Sequence, residues 1–190
     1  ERAHVVVADL ADDPGTAVAD EVGGLYVHAD VTNPDSVAAM YQAALDRFGT
    51  LDICFNNAGI SPPDESILET ELDTWRRVQD VNLTSVYLCC KATIPILLEH
   101  GGGSIVKTAS FIALMGAATS QISYTASKGG VLSLSRELGL QFARQSIRVN
   151  ALCSGPVNTP LRQELFAKDA SVRRAGSCTY RWAVSPSRKR

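Results

Sequence analysis

Short apolar runs alternate with helical patterns along most of this chain, and polar residues or glycines separate them. Ala3 to Ala8 reads as a buried-type strand ending at Asp9, and Pro14 to Val22 as a short helix closed by Gly23-Gly24. Leu25 to Ala29 is the next strand, followed by Asp30. Asn33 is placed to cap a helix with Pro34 at its first position. The apolar face of that helix (Val37, Met40, Tyr41, Ala44, Leu45, Phe48) follows a 3.6-residue period up to Gly49. Leu51 to Phe55 predicts a strand, Asp64 to Thr70 a loop, and Leu72 to Leu98 one long helix closed by Gly101-Gly102-Gly103. Ser104 to Thr108 is a further strand, and a loop through Gly116 leads to a helix from Tyr124 to Ala143. Arg148 to Leu152 is the last strand. Apolar strands alternating with helices predict an α/β domain with a parallel sheet covered on both faces.

At 190 residues the chain suits one domain, with 45% hydrophobic and 20% charged residues. No apolar run reads as long enough to span a bilayer, and the start shows no signal-peptide pattern, so a cytoplasmic chain without a membrane partner is expected. Cys54, Cys89, Cys90, Cys153 and Cys178 lack metal-ligand spacing and read as free thiols of a reducing compartment; no metal is expected. The net charge of −2 is unevenly distributed: six basic residues and no acids follow Asp169, leaving 12 basic against 20 acidic side chains before them. A body of that sign is a poor nucleic-acid binder.

The chemistry gathers around Ser-Tyr-Thr-Ala-Ser-Lys, where Tyr124 and Lys128 are four residues apart. On a helix this spacing puts both on one face. Taken alone it is generic, since such a pair is usually a solvated tyrosine resting on a lysine stem. In company with Ser110 and Asn82 it gains a purpose. A phenol ionises near pH 10, and an adjacent ammonium is expected to lower that value. Ser110 would then hold a substrate oxygen beside the phenol, with Asn82 organising water behind the lysine. Asp9 ends a strand where an acid either receives ribose hydroxyls or caps a turn. Asp30 and Val31 either bracket an adenine or lead into a helix cap. Asn56-Asn57-Ala58-Gly59 either admits a ligand close to the backbone or makes an ordinary turn.

In this order and at these separations, Asp9, Asp30-Val31, Asn56 to Gly59, Asn82, Ser110, Tyr124, Lys128 and Gly155-Pro156-Val157-Asn158-Thr159 resemble the short-chain dehydrogenase/reductase family. Members similar to 3-oxoacyl-ACP reductases and glucose dehydrogenases share the pattern, over about Ala3 to Asp169. The resemblance implies a Rossmann-type doubly wound parallel sheet binding a nicotinamide cofactor at the strand C-termini. It implies Tyr124 as general acid/base, Lys128 as its tuner and ribose contact, Ser110 as the carbonyl's orienter, and Asn82 as holder of a relay water. Asp9, Asp30, Val31, Asn57, Ala58, Gly59, Pro156, Val157 and Thr159 would contact the cofactor. Asp9 would favour NAD over NADP by repelling a 2′-phosphate. The implied reaction interconverts a secondary alcohol and a ketone on a small-molecule substrate. The full-length parent is expected to be a homotetramer.

The chain also departs from the family. Ser110 lies fourteen residues before Tyr124 rather than thirteen, with the extra residue expected within 117–121. Ser154 stands where proline is usual, and Lys107 occupies a strand expected to be buried, its ammonium expected to reach the edge. The Gly-rich phosphate loop that should precede Asp9 by about 20 residues does not occur, so residues 1–170 read as a partial domain without its first βα unit and last strand. Residues 171–190 read as a basic, disordered or out-of-frame tail, because the codons for Cys178 to Pro186 can encode a family-like segment in the neighbouring frame. A catalytically impaired piece, acting at most in subunit contact, is the alternative to an active enzyme.

Overall fold

A computed structural model describes residues 3–62, 66–117 and 120–155. The first strand, β1 (Val6–Asp9), runs into helix α1 (Asp12–Val22), which returns the chain to β2 (Leu25–His28). Asp9 makes the turn between β1 and α1, its carboxylate accepting the Ala11 amide at 3.0 Å. Gly23 ends α1 in the left-handed conformation at φ 65°, which costs glycine little. Helix α2 (Pro34–Phe48) begins as its sequence dictates: Asn33 Oδ1 accepts the amides of Asp35 and Ser36, at 2.9 and 3.2 Å. Its apolar stripe buries Val37, Met40, Tyr41 and Ala44.

Strand β3 (Ile53–Asn56) follows, then one continuous helical stretch with a defect in it. Helix α3 (Leu72–Gln79) passes into a π-helical turn over Asp80–Thr84, and α4 (Ser85–Glu99) continues beyond. By length and composition alone Leu72–Glu99 could cross a membrane, contrary to the expectation that no such run exists. Its apolar residues have another use. Val86, Cys89, Cys90, Ile94 and Leu97 of α4 are buried with residues of α2, β3 and β4 in one core. Strand β4 (Gly103–Thr108), the short helix α5 (Ile112–Met115), helix α6 (Ile122–Gln141), a 3-10 turn (Ala143–Gln145) and β5 (Ile147–Leu152) complete the described elements.

All strand pairing is parallel, in the doubly wound manner expected, but the ladder is interrupted. β1 pairs with β2, and β4 lies between β3 and β5 in a second sheet. The break between β1 and β3 falls where the family resemblance places a strand, and no described residue fills it. Alternate residues of β3 are bare as a result: Ile53 is 64% and Phe55 56% exposed, while Cys54 between them is buried. Helix α2 spans the break by packing on both β2 and α4.

Lys107, near the end of β4, does not reach the edge as expected. It is fully buried, and its ammonium has no oxygen or nitrogen partner. As part of the middle strand of three, its side chain is directed into the core, where the thiols of Cys90 and Cys54 are its polar neighbours. Burial pushes its pKa down.

Candidate active site

The π turn is what brings Asn82 inward. A π turn inserts one residue into a helix and so rotates the following side chains, and such turns recur at functional sites. Asn82 lies within it and is fully buried. Helix α6 approaches closely because Gly130 carries no side chain: a Cβ there would stand 2.6 Å from Leu83 Cδ2. This contact sets Ser127 and Lys128, one turn after Tyr124, beside the π turn. The Gln79 amide secures the same junction by donating to the Ser123 carbonyl at 3.0 Å.

Four predicted residues meet here. Ser110, two residues past β4, is buried and hydrogen-bonds Tyr124, which is half-buried on the first turn of α6. Lys128 Nζ stands 5.5 Å from the centroid of the Tyr124 ring and donates to the Thr108 carbonyl at 2.7 Å. Asn82 and Lys128 converge on Gly59, where a Cβ would lie 3.2 Å from Asn82 Oδ1 and 3.4 Å from Lys128 Nζ. The Asn57-Ala58-Gly59 stretch is exposed, with Asn57 Oδ1 accepting the Thr108 hydroxyl at 2.7 Å.

The electrostatics differ from the sequence expectation. Burial raises the Tyr124 pKa, and a hydrogen bond from Ser110 only partly offsets this. The expected lowering by Lys128 is missing because its ammonium is turned onto the Thr108 carbonyl. Burial also holds Lys128 down, to about 8. Near neutral pH the pair is therefore a protonated phenol beside a protonated amine.

The residues expected at the adenosine end lie at the other sheet. Asp9 is exposed at the end of β1, with one carboxylate oxygen committed to Ala11. Asp30 is half-buried, and Oδ1 accepts both the amide and the hydroxyl of Thr32, at 2.9 and 2.7 Å. Those bonds hold its carboxyl below the usual range. Val31 packs on the core. Pro156, Val157, Thr159 and the tail from 171 lie outside the described residues, as does part of the 117–121 loop.

The strand-end acids, the side-chain-free Gly59 and the buried Lys128 fit the ribose and nicotinamide ends of a dinucleotide. No Gly-rich phosphate cradle occurs among the described residues. Sequence reasoning missed three participants. Thr108 binds Lys128 through its carbonyl and Asn57 through its hydroxyl. Its place at the C-terminal end of β4 was the available signal. Ile60 and Ser127, both bonded to Asn82, adjoin named motifs but carried no mark of their own.

Comparison with known proteins bears on the family and the fold. Residues 1–186 match the family model described as Enoyl-(Acyl carrier protein) reductase. The chain is 40% identical over 163 residues to Cis-4-hydroxycyclohexanecarboxylate dehydrogenase of Sinomonas cyclohexanicum, covering 84% of this chain and 65% of that protein. It is 38% identical over 166 residues to Cyclohexanol dehydrogenase of Acinetobacter sp. (strain SE19), again covering 84% and 65%. Among solved structures, 3-ketoacyl-(acyl-carrier-protein) reductase from Brucella melitensis, complexed with NADH, superposes with a TM-score of 0.79. It is 35% identical, covering 84% of this chain and 68% of that one. Levodione Reductase superposes with a TM-score of 0.84 at 28% identity, covering 94% and 72%.

The fold is of the Rossmann type. The chain belongs to the short-chain dehydrogenase/reductase family. It spans about two thirds of the length of the curated relatives it matches.

Proposed function

We propose that the protein from which this chain comes interconverts a secondary alcohol and a ketone, using NAD(H), with Tyr124 as general acid/base. The observation that supports this best is the approach of Ser110 and Lys128 to one half-buried phenol. A nicotinamide cofactor, when bound, supplies or accepts the hydride. The chain's own residues manage the oxygen. Ser110 orients the carbonyl oxygen against Tyr124, whose raised pKa keeps it protonated and able to donate as that oxygen gains charge. Lys128, protonated below about pH 8, then stabilises the phenolate. Asp9, through its second carboxylate oxygen, receives ribose hydroxyls and disfavours a 2′-phosphate, which selects NAD over NADP. The ring alcohols named for two relatives, one of them a carboxylate, suggest an alicyclic substrate class.

Replacing Tyr124 with phenylalanine tests the assignment. Turnover of cyclohexanol with NAD should fall by about 10²–10⁴-fold, while NADH binding stays within a few-fold. Retained turnover would overturn it.

A second reading has its own support. With the ladder broken between β1 and β3 and no phosphate cradle, this piece alone would be impaired and serve at most in subunit contact. Fluorescence titration with NADH separates the two. Micromolar binding favours the enzyme, and no binding favours the impaired piece.

A further inference from the structure

Both polar atoms of the Asn82 amide are held by protein groups. Its Oδ1 accepts the Ile60 amide at 2.7 Å, while Nδ2 donates to the Ile60 carbonyl at 2.9 Å and to Ser127 Oγ at 3.1 Å. Both protons of Nδ2 are used, so a water could meet this amide only by donating to the second lone pair of Oδ1. Ser127 is fully buried, and its own proton goes to the Tyr124 carbonyl at 2.7 Å. A serine hydroxyl has one proton to give. With that proton committed to Tyr124, Ser127 can only accept from Asn82. The NH₂ side of the amide must then face α6, and its oxygen must face Ile60.

From this we propose that Ser127 is a positioning residue for the reaction assigned above. It orients the Asn82 amide and through it ties the 57–60 segment to the turn of α6 bearing Tyr124 and Lys128. The route is continuous: Tyr124 carbonyl, Ser127 hydroxyl, Asn82 amide, Ile60 backbone, then Gly59, against which Lys128 Nζ stands. A serine inside a helix commonly bonds back to a preceding carbonyl. Here the same oxygen also receives a bond from another element, which joins two otherwise separate parts of the site.

The inference rests on the oxidoreductase reading for its purpose, but its test does not. Amide hydrogen exchange of the chain, read by NMR without cofactor or substrate, follows Ile60 and, within α6, Val131. In Ser127→Ala, Ile60 should exchange about 10-fold faster, equivalent to about 1.4 kcal/mol and in the range of one buried hydrogen bond. Val131 should not change. Ser127→Thr, which keeps the hydroxyl, should restore Ile60. If Ser127→Ala does not fold, Ser127→Cys makes the same comparison. An unchanged Ile60, or Ile60 and Val131 accelerating together, would overturn the proposal, as would failure of threonine to restore protection. In turnover, kcat should fall about 10-fold with the KM for NAD nearly unchanged. If no variant and no parent turns over, the oxidoreductase reading fails while the exchange result still decides this one.

Discussion

Replacing Lys107 with methionine should make this chain more stable. The lysine is fully buried in β4, and its ammonium has no oxygen or nitrogen partner, only the weakly accepting thiol of Cys90 beside it. A buried donor left unmade costs about 1–3 kcal/mol, more when charged. Methionine keeps most of the apolar stem, so little packing is lost. The expected gain at pH 7 is about 1–3 kcal/mol, and each kcal/mol should raise Tm by about 2–4 °C for a chain of this size. The pH dependence gives a sharper test. Burial pushes the folded-state pKa of Lys107 down, whereas the unfolded lysine titrates near 10.4. Between those values the unfolded chain holds a proton that the folded chain lacks, so the parent gains stability as pH rises through that window. The variant's advantage should therefore be greatest below the folded pKa and shrink as pH approaches 10.4. Urea unfolding followed by circular dichroism at pH 7 and pH 10 measures both, and groups common to the two chains cancel in the difference. A variant less stable than the parent at pH 7, or an advantage that does not shrink at pH 10, refutes the reasoning.

Other sites give further expectations. Asn33→Ala removes the oxygen that caps α2 and should cost about 1 kcal/mol in the same urea assay. Gly59→Ala crowds Asn82 Oδ1 and Lys128 Nζ, so cyclohexanol turnover should fall by about 10-fold or more while unfolding changes little. Burial raises the Cys89 thiol to about 12, whereas an unfolded thiol titrates near 8.5. Its contribution is present below about 8.5 and is lost as pH rises toward 12. Cys89→Ala should therefore be less sensitive than the parent to alkaline unfolding between pH 8.5 and 10.

Much of the frame was legible in the residues. Helix α2 declares itself through a capping asparagine, a proline at N1, an unbroken apolar period and a closing glycine, and it forms as read. Parallel strand pairing followed from the alternation of apolar runs with helices. The misses share a cause. The π turn leaves hydrophobic periodicity almost untouched, so Leu72 to Leu98 read as one regular helix. Helix α5 is four residues long, too short to show a period. The protonation of Tyr124 depends on how deeply it is buried and where Lys128 points, and neither is written in a four-residue spacing. Lys107 was misread for the same reason. Its fate depends on being in the middle strand, a fact about neighbours distant in sequence.

The interrupted ladder bears on how a ligand's affinity should be understood. Asp9 and Asp30 belong to the β1–β2 sheet, while Ser110, Tyr124 and Lys128 attach to the β3–β5 sheet, with α2 bridging them. A dinucleotide touching both sets would join two sheets that share a core but no strand pairing, and its binding energy would include the work of fixing their separation. A ligand confined to one sheet, such as adenosine or a small alcohol, would do no such work. The gap between the affinity of a whole dinucleotide and that of its parts would then measure the stiffness of the α2 bridge.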